Sequence, residues 1–164
     1  MKVIINYLLG ILVMASMLQS CKKDDNSSAY PSGQGSFTAT GGLSLNLTGT
    51  YSTFKRVTTS TYDSIYVGGY TLTPQAIVGL TFVNVKTPTT LPLNTATSSQ
   101  TAIAGYFTGT NAASDYYFST LSTTPGTVTI TAISSTTIEG TYTTSVKNVA
   151  GATISFSGTF KGSF

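Results

Sequence analysis

Histidine and tryptophan are absent from this 164-residue chain, cysteine occurs once, and only 8% of the residues are charged. Each absence removes a class of chemistry. Without histidine there is no imidazole base to activate a serine or cysteine nucleophile. Zinc and copper sites lose their usual nitrogen ligand and nearly all of their sulfur. A single thiol cannot close an internal disulfide. Beyond residue 25 only three acids remain, Asp63, Asp115 and Glu139, and nothing in their spacing pairs them across a sugar as a glycosidase requires. Nor do several of them fall in one loop, as a calcium site would need. The inventory predicts a protein that is not an enzyme and that carries no metal or cofactor.

What is present begins with Lys2 and a run from Val3 to Met17 that is apolar apart from Asn6, Tyr7 and Ser16. This is the layout of an export signal, a charged start followed by an apolar core. The run is shorter than the ~18 to 20 residues that span a bilayer as a helix, so it reads as a cleaved leader over residues 1–20. Once Lys2 is removed from the net charge of +3, the mature chain is close to balanced, and no case for nucleic acid arises.

The leader ends in Leu18-Gln19-Ser20-Cys21, which resembles a bacterial lipobox. The resemblance implies that Cys21 receives a diacylglycerol on its sulfur and an acyl chain such as palmitate on its new amino terminus. One acyl chain holds a membrane only marginally, and two or more hold it stably. Lys23, Asp24 and Asp25 follow at once and resemble the surface-export signal of Bacteroidota-type lipoproteins. That likeness implies a lipid-anchored protein of the cell outer membrane, facing outward. Residues 26–35 are rich in Ser, Gly and Pro and complete a flexible lipidated tether over 21–35.

Threonine makes up about a fifth of the chain, and together with Gly, Ser and Tyr it favours strands and turns. From Phe37 onward short apolar runs alternate with Thr and Ser at period two, which predicts a single β domain over 36–164. Leu43, Leu45, Leu47 and Tyr51 share one face of the first pattern. Gly68-Gly69 separates two strand-like runs and is expected to form a tight hairpin turn, with Pro74 stopping the second run. Residues 75–85 are the most continuously apolar stretch and predict a central strand, with Ala76, Val78, Leu80 and Phe82 on one face and Ile77, Val83 and Val85 on the other. Residues 86–100 predict the longest loop, with Leu91 and Leu93 tucked against the body. Strands follow at 102–108 and 116–120.

The last third has the clearest pattern. Val128, Ile130 and Ala132 alternate with threonines. Ile138, Gly140, Tyr142, Thr144 and Val146 then form one face, and Ile154, Phe156, Gly158 and Phe160 the next, with a turn at 148–151. Three consecutive antiparallel strands, a meander, is the economical topology. The ending is similar to that of small Bacteroidota-type surface lipoproteins of unknown function, through Gly126-Thr-Val-x-Ile-Thr131, Gly140-Thr141-Tyr142, the loop 148–151 and Gly158-Thr159-Phe160. The resemblance implies an all-β domain and brings no catalytic residues. The expected fold is therefore all-β and antiparallel, with about eight or nine strands, either a lipocalin-like barrel or a two-sheet β-sandwich.

Two function classes survive. One is a structural or interaction module at the cell surface, whose partner would be another outer-membrane protein. The other is a small glycan- or apolar-ligand-binding module in which Tyr62, Tyr66, Tyr70, Tyr106, Tyr116 and Tyr117 present ring faces. A binding platform needs at least two exposed aromatic rings on one contiguous patch. Asp63-Ser64-Ile65 also resembles the site at which Bacteroidota-type exported proteins are O-glycosylated, which makes Ser64 a candidate.

Overall fold

The computed structural model describes residues 30–73, 75–94 and 100–164. Cys21, Lys23, Asp24 and Asp25 lie outside the described residues. Those that are described form eleven strands: β1 Gly35–Gly41, β2 Leu45–Gly49, β3 Ser52–Thr58, β4 Asp63–Leu72, β5 Gln75–Val83, β6 Thr89–Pro92, β7 Thr101–Phe107, β8 Tyr116–Phe118, β9 Gly126–Ile133, β10 Thr137–Lys147 and β11 Thr153–Ser163. All pair antiparallel, nine of them in the order β2-β1-β11-β10-β8-β7-β5-β4-β3, with β9 and then β6 branching off β10.

The sheet curls until its ends nearly meet, giving a barrel. Phe54 N–H of β3 donates to Gly33 O just before β1, at 2.9 Å. Ser52, buried between the two strands, accepts from Gly35 N–H at 2.9 Å, and its hydroxyl lies 2.8 Å from both Gly35 O and Gly49 O. Opposite this seam the wall forks. Along Gly140 to Thr144, β10 pairs with β9, and β9 in turn pairs with β6; at Lys147, β10 meets Phe118 of β8. Both branches lead to β7, one through Asn94 N–H to Ala102 O at 2.9 Å and the other through the ladder of β8.

The predicted meander β9-β10-β11 is present, with eleven register pairs between β10 and β11. Ile138, Gly140, Tyr142, Thr144 and Val146 are all buried, as their alternation requires. Glycines opposite rings make this core possible. Phe160 faces Gly140 and Tyr142 faces Gly158 across the β10–β11 ladder. A Cβ on Gly140 would sit 2.5 Å from the Phe160 ring, so the small residue leaves room for the large one. Phe54, Phe82, Leu80, Ile65 and Phe37 fill the rest, each essentially inaccessible to solvent. The barrel is packed with its own side chains.

Several expectations are corrected. Gly68-Gly69 is not a turn: β4 runs straight through it, Gly68 pairing with Thr53 and Gly79, Gly69 with Ser52 and Val78. The strand tolerates the pair because these glycines lie where neighbouring groups crowd the backbone. The hairpin instead closes after Leu72, which pairs with Gln75. Ala132 points outward because the register slips by one residue at Thr131, a β-bulge that sends Ile133 to pair with Ile138. Tyr51 lies in the turn between β2 and β3, which turns it outward, away from Leu47. Val85 is fully buried because Asn84 takes φ 58° and bends the chain back after β5. The loop after β5 holds the short strand β6, with Leu93 fully buried and Leu91 packed on the core as expected. Strand 116–120 stops at Phe118 and continues as a 3-10 turn over Ser119–Leu121.

Candidate functional site

Strand pairing decides which side chains share the outer surface, because directly opposed residues point to the same face. Val78 is buried in the core, so its neighbour Ile77 points out and is 36% exposed. Ile77 is opposed by Tyr70 on β4 and by Phe107 on β7, and Phe107 by Tyr116 on β8. Tyr51 closes the row on the far side, its ring centroid 6.0 Å from that of Tyr70. It is 50% exposed, and its carbonyl accepts the Tyr70 N–H at 3.1 Å. The result is one row on the outer face, Tyr51, Tyr70, Ile77, Phe107 and Tyr116, of which Tyr51 and Ile77 are exposed, Tyr70 and Tyr116 half-buried and Phe107 only 9% exposed.

Beside this row runs a second made of glycine. Gly68, Gly79 and Gly105 oppose one another across β4, β5 and β7, and Phe118 opposes Gly105. The Tyr66 ring lies across the gap: a Cβ on Gly79 would come within 2.6 Å of it. Its hydroxyl donates to Val78 O at 3.3 Å, and only 5% of the residue is exposed. Burial raises its pKa well above the ordinary tyrosine range. Phe107 covers Gly105 in the same way and packs edge-on against Tyr116 at 5.1 Å and Phe118 at 5.4 Å. An aromatic-paved wall results.

The six tyrosines expected to form a platform therefore divide. Tyr70 and Tyr116 belong to the outward row. Tyr66 is buried within the paving. Tyr106 and Tyr117 oppose each other on the other face of β7 and β8, 5.7 Å apart, where they pack on the core beside Phe156. Their mutual proximity and partial burial raise the Tyr106 pKa, burial being the larger cause. Tyr62 is exposed just ahead of β4. Ser64 is half-buried on β4, paired with Val57 and Val83. Sequence reasoning missed Tyr51, Ile77 and Phe107 as members of the row, since only the register joins them.

The end of the barrel near Asn84 is closed by charge. Arg56 donates through Nε to Asp63 Oδ1 at 2.9 Å and through Nη2 to Oδ2 at 2.5 Å. Thr58 Oγ1 donates to Asp63 Oδ1 at 3.0 Å, and Arg56 Nη1 to Ser134 O at 2.6 Å. The guanidinium also lies 5.7 Å from the centre of the Phe164 ring. The Arg56 hydrogen bonds hold the Asp63 carboxyl below its usual range, against the opposing effect of burial. Asp115 serves its own loop, accepting from Asn111 N–H and Ser114 Oγ. Glu139 pairs with Lys161 at 2.9 Å on the surface. Among the described residues, no three Asp, Glu, His or Cys side chains gather to hold a metal ion.

Two open surface grooves complete the picture. One, about 410 Å³, is lined by Arg56, Thr58, Lys86, Ser134 and Ser135 at the charged end. The other, about 460 Å³, is bordered by Thr40, Gly41, Gly126, Thr143, Ser155 and Ser157. No family model, curated protein or solved structure matches this chain.

Proposed function

We propose that the protein is a non-enzymatic interaction module, lipid-anchored through Cys21 on the outer face of the outer membrane, and that it docks a partner through the aromatic wall. The observation that carries this reading is the outward row of Tyr51, Tyr70, Ile77, Phe107 and Tyr116, carried on a barrel whose inside is already filled. Aromatic residues on a rigid scaffold offer much contact area at little entropic cost, and they anchor protein interfaces. A filled interior turns recognition to the outside. The lipobox-like Leu18 to Cys21 and the Lys23-Asp24-Asp25 signal supply the address.

Protease shaving of intact host cells tests the location. Loss of the domain, with release or mislocalisation of Cys21→Ala, is expected; a domain that survives shaving overturns the outward address. A photoreactive side chain placed at position 70 tests the docking wall, with position 141 on another wall as control. A discrete adduct from position 70 alone is expected, and equal adducts from both would sink the assignment.

A glycan ligand is the second reading, supported by the exposed ring of Tyr51 beside the half-buried ring of Tyr70. It requires that retention on a glycan array disappear in Tyr51→Ala/Tyr70→Ala.

A further inference from the structure

The wall formed by β9, β10, β11 and β1 differs from the aromatic wall in one respect: its outward positions are nearly all threonine or serine. Thr129 opposes Thr141, and Thr141 opposes Thr159. The row extends to Thr90 on β6 and Thr38 on β1, each with its hydroxyl 3.0 Å from that of its neighbour, Thr129 and Thr159 respectively. A second row runs parallel to it, two residues along each strand: Thr127 opposes Thr143, Thr143 opposes Ser157, and Ser157 opposes Thr40.

Strand propensity alone does not explain this. Threonine suits any exposed strand position, yet the outward positions of β4 are Ser64, Tyr66, Gly68 and Tyr70, and those of β7 are Thr101, Ile103, Gly105 and Phe107. The other walls carry scattered threonines, Thr53, Thr81 and Thr101 among them, but none of these opposes another threonine. No charged residue stands in either row. The nearest, Glu139 and Lys161, neutralise each other beyond the row's edge.

We propose that this hydroxyl wall is a binding site for an ordered water lattice, the surface of ice. Each threonine presents one methyl and one hydroxyl from a side chain stiff at χ1, so the wall is a fixed alternation of apolar and polar points. Neighbouring strands place these points about 4.8 Å apart and alternate residues about 6.8 Å apart, near the oxygen repeats on the prism face of ice. An uncharged face holds no strongly hydrated ion that would disorder such a lattice. A sugar would need aromatic faces or amide and carboxylate pairs, and the two rows have neither. Strand twist of about 20 to 25° per step confines the match to the three best-paired strands. The binding patch is therefore Thr127, Thr129, Thr141, Thr143, Ser157 and Thr159.

The test is partition of the purified full chain into slowly growing ice, with thermal hysteresis measured beside it. Three proteins are compared: the natural chain, Thr141→Lys/Thr159→Lys, and a control, Thr53→Lys/Thr81→Lys, on another wall. Near-ultraviolet circular dichroism confirms that each is folded. The natural chain and the control should be enriched severalfold in ice, and the Thr141/Thr159 variant should be left in the liquid. A natural chain excluded from ice like an ordinary protein overturns the proposal, as does enrichment that survives in the Thr141/Thr159 variant. Retention on an insoluble polysaccharide, lost in that variant and without ice enrichment, overturns it in favour of a sugar surface.

Discussion

Asp63 is 3% exposed, and the Arg56 guanidinium forks onto both of its oxygens across the β3–β4 hairpin. Removing one partner leaves a buried charge without its counterpart, which costs about 3 to 5 kcal/mol for fully buried pairs. Arg56 keeps some contact with solvent, so Asp63→Asn should cost about 2 to 3 kcal/mol, read as a lower urea midpoint. The pH dependence follows from the lowered Asp63 pKa. This stability is fully present above the unfolded value of about 3.9 and is lost as pH falls toward the folded value. Acid unfolding of the natural protein should steepen below about pH 4, and Asp63→Asn should flatten it.

Ser52 holds the seam between β1 and β3. Ser52→Ala leaves Gly35 N–H buried without its acceptor, at a cost of about 1 to 3 kcal/mol. Amide exchange at Gly35 should quicken more than at Phe160 in the meander. Equal quickening at both sites would show that Ser52 is not the seam's fastening.

Gly79 and Tyr66 should be coupled. The three nearest atoms to a Cβ at position 79 all belong to the Tyr66 side chain, two of its ring and its hydroxyl, so Gly79→Ala should cost about 1 to 3 kcal/mol by overpacking. Tyr66→Leu removes the obstacle. A double-mutant cycle in urea should therefore give a coupling of at least about 0.5 kcal/mol, and strict additivity would refute the paving arrangement.

At the alkaline extreme, burial raises the pKa of Tyr66 and of Tyr142, whose hydroxyl donates to Thr38 O at 2.8 Å. Their neutral forms favour the fold below the unfolded pKa of about 10, and that contribution is lost as pH rises above it. Spectrophotometric titration should show these tyrosines ionising late, together with unfolding. Tyr142→Phe should lose the late component assigned to it.

How much of this was legible in the sequence depends on whether a feature is local. The strict alternation from Ile138 to Val146 and from Ile154 to Phe160 fixes burial without reference to any other strand, and both faces emerge as read. Gly68-Gly69 misled because a glycine pair signals a turn only when nothing crowds its backbone; here Val78, Tyr51 and the Tyr66 hydroxyl do. Ala132 misled because one bulged residue inverts the parity of everything beyond it. The aromatic row was invisible for a different reason. Tyr51, Tyr70, Ile77, Phe107 and Tyr116 have no common spacing, and only the registers of four strands and a turn bring them together. The threonine rows arise in the same way, with Thr38 and Thr159 separated by most of the domain.

The first strand sits beside the last. β1 is held by β11 from Gly35 to Gly41 and by β2 from Gly35 to Ala39, while Ser32 Oγ donates to Phe164 O at 2.7 Å just before it. The described chain, from Tyr30, enters this doubly flanked strand within a few residues. A pull on the chain at Tyr30 would load both ladders in shear, so that their bonds carry the force together instead of parting one by one.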